Sequence, residues 1–398
     1  MQDVRGKRIR QLRSARGMTQ QQLADATGGL VTKQSISKYE RGKSQPSSVV
    51  LGKLAEVFEV KTADLSREPA ARIEFEAYRK FARLGKRKQE QIESIIRRKL
   101  EDRLRLQDLL GQLRGVEIPS KMWTVGSREE AEEAAEALRD EWELGRAPIA
   151  DVTDVLEDHY VHVLSIDVSD DFDGVSVYAY DGDTPLAAAV VCHHGRPGER
   201  QRLNLAHELA HLVLEVEESD DFDEEDAAYR MGGAFLAPAG PLLRDVGERR
   251  RSIQFQELLI LKQHYGMSVQ ALLYRLKDLG VISRHHYKQW FIHLGKMGWR
   301  KEEPGELPAE EPKWLRRSVL RAYSEKLLSK EEAERLLDES VGDEEDAPTT
   351  LVRRRSFMEL PVEERRRILA RQAKDLQEHY EDDPERKKLQ AGDITEYE

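Results

Sequence analysis

Two histidines and a glutamate stand at a spacing that could bind a metal ion and use it. In the segment HELAH, His207 and His211 are four residues apart, so both imidazoles lie on one face of a helix and can reach a single ion. Glu208, between them, can take a proton from a water molecule bound to that ion. The alternative is a pair of histidines that hydrogen-bond inside a helical core. The amphipathic flanks LNLA and LVLE favour the metal-binding interpretation, whose chemistry is metal-assisted hydrolysis.

A catalytic zinc ion also needs a third protein ligand and an open position for water. Nine acids and no base lie between Val213 and Asp226, directly after the second histidine. Most of them must be solvated, as acidic runs usually are. Spacing alone therefore does not choose the ligand.

The segments GERQRLNLAHELAHLVLE and EDAAYRMGGAFLAP resemble the ImmA/IrrE family of HExxH metallopeptidases. The resemblance extends loosely over about residues 120 to 305. It implies that the metal is Zn²⁺ and that the third ligand is Glu225, with Glu224 or Asp226 as fallbacks. Mn²⁺ also fits a site of two histidines and one glutamate.

In the mechanism that this family implies, Glu208 is the general base and returns the proton to the leaving amine. Tyr229 and the pair His193 and His194 are candidates for stabilising the oxyanion. We prefer a structural interpretation of them, as a buried tyrosine and as histidines at the end of a hairpin. Cys192 is likewise interpreted as a core cysteine at a strand end rather than a ligand.

The first 66 residues contain two short helices joined by a glycine-containing turn. Thr19 is expected to cap the first helix, QQQLADA, and Thr32 the second, KQSISKYE. Ile36 and Tyr39 of the second helix should face inward, which leaves its polar side chains outward. Such a face suits base edges in the major groove, although a solvated helical hairpin would show the same period.

The order of residues over 5–66 resembles the Xre/Cro-type helix-turn-helix family, from RIRxLRxxRGMTQQQLA to ISKYERGKxxP. The resemblance implies that Glu40 and Arg41 are structural and that Gln34 and Lys38 make base contacts. One such module binds weakly, so we expect a homodimer on two half-sites of a double-stranded operator. The residues implied at the DNA are Gln20, Lys33, Gln34, Ser37 and Lys38.

The surrounding patterns indicate the elements that must position both sites. Three strands are predicted at 161–167, 173–179 and 185–192, followed by helices at about 199–215, 225–236, 253–264 and 268–278, packed against one face of the sheet. Between the two sites, Phe75, Tyr78 and Phe81, then Ile92, Ile96, Leu100 and Leu104, recur at helical spacing. This pattern predicts a pair of connecting helices, with a dimerising coiled coil as the alternative.

The predicted fold is mainly α with an α+β core. It comprises a five-helix-type helix-turn-helix domain (1–66), a helical connector (67–119), a small zincin-like α+β peptidase domain (120–300), a linker and helix (301–350), and a helical tail (351–398). The tail resembles the toxin-neutralising end of small bacterial antitoxins, and a solvated helix explains it equally well. Its candidate partner-binding residues are Ile368, Leu369, Leu376 and Tyr380.

Composition excludes several other classes of protein. The net charge of the 398 residues is −11, but residues 1–66 alone carry 12 basic against 6 acidic side chains, which suits DNA. A single cysteine excludes a disulfide framework, and neither a signal peptide nor a membrane span is apparent, so we expect a cytoplasmic protein. The favoured function is a DNA-binding regulator that cleaves a repressor or antitoxin under stress. The alternative is an antitoxin and autorepressor whose zinc domain is structural.

Overall fold

A computed structural model describes residues 4–68, 71–76, 84–169 and 171–342. The tail 351–398 lies outside these ranges, so the interpretation of Ile368, Leu369, Leu376 and Tyr380 stays a prediction. No helix within the described ranges combines the length and the apolar character that crossing a bilayer requires.

The N-terminal domain consists of four α-helices and a 3₁₀ helix around one small core. The predicted caps are present, since the hydroxyls of Thr19 and Thr32 accept hydrogen bonds from the backbone N–H of Gln22 and Ser35. The core contains Ile36, which is fully buried. The elements are α1 (Val4–Ala15), α2 (Gln20–Ala26), α3 (Lys33–Glu40), α4 (Ser48–Val57) and the 3₁₀ helix Thr62–Ser66.

The remainder is an α+β domain, as the sequence predicts, and its main sheet has four strands. Its strands are β1 (Arg72–Phe75), β2 (Trp123–Val125), β3 (Val161–Ile166), β4 (Gly174–Asp181), β5 (Thr184–His193) and β6 (Leu214–Val216). The helices up to the last ligand-bearing one are α5 (Lys86–Leu109), α6 (Arg128–Glu141), α7 (Val152–Asp158), α8 (Gly198–Val213) and α9 (Glu224–Leu236). The later helices are α10 (Ala239–Val246), α11 (Phe255–Tyr265), α12 (Val269–Asp278), α13 (Arg284–Lys296), α14 (Trp314–Ser324) and α15 (Lys330–Leu337).

The order of strands in the sheet is β1-β4-β5-β3. β4 is antiparallel to both of its neighbours, and β3 is parallel to β5, while β2 and β6 form a separate parallel pair. β1 is an addition that the sequence did not predict. The helical spacing proposed to begin at Phe75 is wrong at that residue, because Phe75 ends β1 opposite Val177 of β4.

The four helices predicted after the strands lie on one face of the sheet, as expected, and a helix of the connector covers the other face. One face carries α8 and α9, and the other carries α5. The predicted apolar stripe of α5 faces that second side, where all four residues are at most 1% exposed. Since the stripe is buried against its own sheet, the coiled-coil alternative fails. The stripe consists of Ile92, Ile96, Leu100 and Leu104.

Residues 301–313, here called the strap, contain no helix but are bound closely to the α+β domain. Glu303 accepts hydrogen bonds from the Lys262 Nζ at 3.2 Å and from the backbone N–H of Val269 at 2.8 Å. Glu310 pairs with Arg202 of α8 and accepts from the Thr153 N–H at 2.9 Å. The strap therefore neutralises two cations that the domain buries.

The N-terminal domain lies against α5 through α1. Arg8 and Gln11 of α1 both contact Glu101, and Arg10 forms an ion pair with Glu90 at 3.1 Å. Arg87 donates to the carbonyl of Gly17 at 2.6 Å. These contacts use the α1 side of the domain, and the outward side chains of α3 stay exposed.

Candidate functional site

The two histidines of α8 face the start of α9, where the acidic run ends. Gly232 of α9 lies against α8 so closely that a Cβ there would be 3.1 Å from the backbone nitrogen of His207. This close crossing brings the first turn of α9 to the imidazoles. His207, His211 and Glu225 each offer one ligand atom, and these atoms lie within 4.8 Å of one another.

The two histidine nitrogens are separated much as two ligands of one tetrahedral zinc ion would be, and the Glu225 oxygens lie somewhat farther away, at 3.6 Å from His207 and 3.9 Å from His211. The two Nε2 atoms of His207 and His211 are 3.1 Å apart, and Glu225 Oε2 is 3.6 Å from the Nε2 of His207. Two nitrogens bound to one zinc at about 2.05 Å with a tetrahedral angle are about 3.3 Å apart. The donor set suits a divalent ion, and it is the set that the family resemblance implied.

Glu224, a fallback ligand in the sequence analysis, has a different position. Its Oε1 lies 3.2 Å from Nδ1 of His211, on the side of the ring away from the other ligand atoms. An Nδ1–H that donates to Glu224 leaves the Nε2 lone pair for the metal. Asp226, the other fallback, pairs with Arg128 at 2.8 Å. Asp223 caps α9, and Glu224, Glu225 and Asp226 form its first turn. Successive residues of a helix are rotated around its axis, so these three side chains point in three directions.

Glu208 is buried, with 5% of its surface exposed, and lies against the start of β4. The Ser176 hydroxyl lies 2.7 Å from Glu208 Oε2 and 2.7 Å from the Glu208 carbonyl oxygen. A Cβ at Gly174 would come 2.9 Å from Glu208 Oε1, so any larger residue there would displace the carboxylate. Neither Ser176 nor Gly174 was predicted from the sequence. The one signal was a glycine at the first position of a strand, which often marks a close approach.

A cavity of about 760 Å³ opens beside the cluster. Tyr229, whose ring centroid is 4.4 Å from that of His207, forms part of its wall. Tyr229 is 47% exposed, so the interpretation of it as a buried core residue is wrong. The rest of the wall includes Leu203, Tyr274, Tyr287 and Phe291.

The residues at the end of β5 lie in or beside the core, and their structural interpretation stays a prediction. Cys192 is 1% exposed and lies in the core, where burial raises the pKa of its thiol to about 11. His194 Nδ1 lies 3.2 Å from the Ser165 hydroxyl, and His193 is buried.

On the N-terminal domain, Lys33, Gln34 and Lys38 of α3 are exposed, and Ser37 is half-buried between them. The predicted contact residue Gln20 is half-buried and donates to Glu40 at 2.8 Å. Glu40 also pairs with Arg13 at 2.5 Å, which supports its structural role. Lys33, Gln34, Ser37 and Lys38 share one face of α3, whereas the Gln20 side chain is turned toward Glu40 at the end of that helix.

Comparison with known families covers both regions. Residues 9–65 match the helix-turn-helix family, and residues 157–277 match the family of the IrrE N-terminal-like domain. The chain thus joins a domain similar to the helix-turn-helix family to a domain similar to the IrrE N-terminal-like family. All three candidate ligands and Glu208 lie within the IrrE-like domain, whose family is of the metallopeptidase type.

A curated relative supports the assignment of the first domain. The chain is 34% identical over 71 residues to YonR, an uncharacterized HTH-type transcriptional regulator derived from the SPbeta prophage of Bacillus subtilis. The match spans 18% of this chain and 64% of that relative.

Proposed function

We propose that this DNA-binding regulator is a zinc-dependent endopeptidase that cleaves a partner regulator, a repressor or an antitoxin, in response to stress. The observation that carries the proposal is the position of Glu208. Ser176 holds its carboxylate, and the two histidines that flank it on α8 form a metal-sized cluster with Glu225. A zinc ion that only stabilised the fold would have four protein ligands and would need no adjacent carboxylate.

His207, His211 and Glu225 would hold the zinc ion, which when bound polarises a peptide carbonyl and acidifies water. The Glu208 carboxylate accepts the proton of the attacking water and delivers it to the amine that leaves. The Ser176 hydroxyl fixes the orientation of that carboxylate. The cavity beside Tyr229 gives room for the side chains of a peptide next to the scissile bond.

The helix-turn-helix domain brings this activity to an operator. Gln34 and Lys38 on the exposed face of α3 would read base edges, while Lys33 at its N-terminus would contact phosphate. A homodimer on two half-sites would provide the affinity that one module lacks.

The test compares the zinc-loaded wild type with Glu208→Gln, a variant that keeps every metal ligand. Each is incubated with a lysate of the cell that makes the protein, and new protein N-termini are labelled and identified by mass spectrometry. We expect N-termini that appear only with the wild type, at equal zinc content in the two proteins. Equal sets of N-termini at full zinc occupancy would reject the peptidase.

Measuring the zinc content of the purified protein is a second test of the proposal. About one zinc per chain is expected in the wild type, and His207→Ala, His211→Ala and Glu225→Ala should each lose it. A wild type that takes up no zinc would favour the alternative, an antitoxin and autorepressor with a structural domain. That alternative depends on the tail 351–398 and stays a prediction.

A further inference from the structure

The outer edge of β4 is the sheet edge beside the candidate general base. On its inner side β4 pairs with β5 from Gly174 to Asp181. On its outer side β1 pairs with residues 177–180, and the Glu76 N–H donates to the Ser176 carbonyl at 2.9 Å. The backbone of the connecting segment therefore occupies this edge as far as Ser176.

The same short stretch of β4 contacts Glu208. The Ser176 hydroxyl holds its Oε2, and Gly174, two residues earlier, lies against its Oε1. β1 thus ends where the contact with Glu208 begins. Lys121 adds a second connection, because its Nζ lies 3.1 Å from Glu76 and 2.7 Å from the carbonyl of His211.

A peptide that is to be cleaved must pass Glu208 with its backbone accessible. Extended peptides are commonly held by adding a strand to a free sheet edge, which fixes the backbone by hydrogen bonds. Among the strand edges that the structure describes, the outer edge of β4 is the one in contact with Glu208. A peptide on this edge and antiparallel to β4 would take the position of β1.

We propose that the outer edge of β4 is the binding edge for an extended peptide substrate, and that β1 occupies it as an internal competitor. This inference rests on the proposed function, since it describes the regulation of the same site. Displacement of β1 would open the edge. Because β1 belongs to the segment that joins the two domains, we expect DNA binding to change access to the proposed peptidase site.

The contacts of β1 indicate the chemistry of the peptide that would replace it. Ile73 is 6% exposed and lies in the core on the α5 side of the sheet, and Phe75 is half-buried beside it under the Arg97 guanidinium. Glu76 faces Lys121. A competing substrate segment should therefore carry apolar residues at alternate positions and an acidic residue that can pair with Lys121.

The test removes one backbone hydrogen bond from β1 and offers the strand back as a peptide. The Glu76 N–H donates to the Ser176 carbonyl. Hydrogen-bonded positions alternate along an antiparallel pair, so the next one is Glu74 opposite Tyr178. Glu74→Pro removes the backbone N–H of residue 74, which is the hydrogen-bond donor at this position. Glu74→Ala removes the same side chain but keeps this N–H. The probe is a fluorescein-labelled peptide of residues 71–76, and binding is measured by anisotropy in EDTA.

We expect the labelled peptide to bind Glu74→Pro at least about tenfold more tightly than it binds the wild type or Glu74→Ala, because the internal strand competes at high effective concentration. The same peptide with proline at its Glu74 position should not bind. A folded Glu74→Pro protein that binds the peptide no better than Glu74→Ala would overturn the proposal.

If Glu74→Pro does not fold, hydrogen exchange on the wild type decides. Millimolar unlabelled peptide 71–76 should accelerate exchange of the β1 amides by threefold or more and leave the β5 amides unchanged. Unchanged β1 exchange would contradict the inference. Neither peptide binding nor hydrogen exchange needs metal or cleavage. If the peptide binds but the zinc-loaded protein cleaves nothing in the lysate test, the proposed function is rejected while the binding role of the β4 edge still holds.

Discussion

Replacing Glu224 by glutamine is expected to weaken zinc binding about tenfold without removing a ligand. Glu224 Oε1 lies 3.2 Å from Nδ1 of His211, where it orients the ring and makes Nε2 a better donor. Loss of such a partner usually costs 10- to 100-fold in metal affinity, about 1.4 to 2.7 kcal/mol. We expect the lower end, because the Glu224 side chain is 32% exposed and water screens the interaction.

Asp226→Asn is the matched control for this prediction. It removes the same charge from the same helical turn, but Asp226 pairs with Arg128 rather than with a histidine. Its effect on zinc should stay within about twofold, because a more distant charge is screened by salt. Glu225→Gln, which loses a ligand, should weaken binding by far more than tenfold.

The assay is competition for Zn²⁺ against a chromogenic chelator at neutral pH and fixed ionic strength. The expected order of affinity is wild type and Asp226→Asn together, then Glu224→Gln, then Glu225→Gln. Equal affinities for Glu224→Gln and Asp226→Asn would refute the orienting role. If Glu224→Gln were weaker than Glu225→Gln, the assignment of the third ligand would be reversed.

Three further outcomes are expected. Gln34→Ala should weaken binding to an operator selected in vitro by about 1–3 kcal/mol, and Lys38→Ala should also lower the salt dependence of binding. Binding is measured by anisotropy titration. Titrations of both variants that match the wild type would argue against α3 as the reading helix. Cys192, whose pKa burial raises to about 11, should react with DTNB at pH 8 at least about 100-fold more slowly than in the unfolded chain, and rapid labelling of the native protein would contradict its burial. Burial, and secondarily Arg103, lower the pKa of His162 to about 3, so the folded protein should lose up to about 1.4 kcal/mol of stability per pH unit as the pH falls from 6.5 toward 3. Urea unfolding at pH 7, 6 and 5 should show this slope and a flatter one for His162→Gln; parallel slopes would dismiss the assignment.

The sequence predicted the elements with strong local signals. Four sets of elements lie within a few residues of their predicted positions. They are the helix with HELAH, the helix before Pro238, the three strands between 161 and 193, and the threonine caps. These segments are long or have a residue type that fits one position only. The same holds for His207 and His211, since a spacing of four on a helix fixes their common face.

The missed features depend on contacts between distant parts of the chain. β1 has only four residues, two of them charged, and becomes a strand because β4 offers an edge. The stripe on α5 predicts a buried face but not the surface that buries it. Glu224 and Glu225 are neighbours in the sequence but lie beside different histidine nitrogens, and only the packing of α9 against α8 shows which.

The strap limits how this domain could be inherited or transferred. The match to the IrrE-like family ends at residue 277, yet the acids that satisfy Lys262, Arg202 and the first amides of α12 come later, from Glu303 and Glu310. A gene fragment that stopped at the family boundary would leave a fully buried ammonium with one carboxylate instead of two. The smallest portable unit of this domain therefore extends at least as far as Glu310.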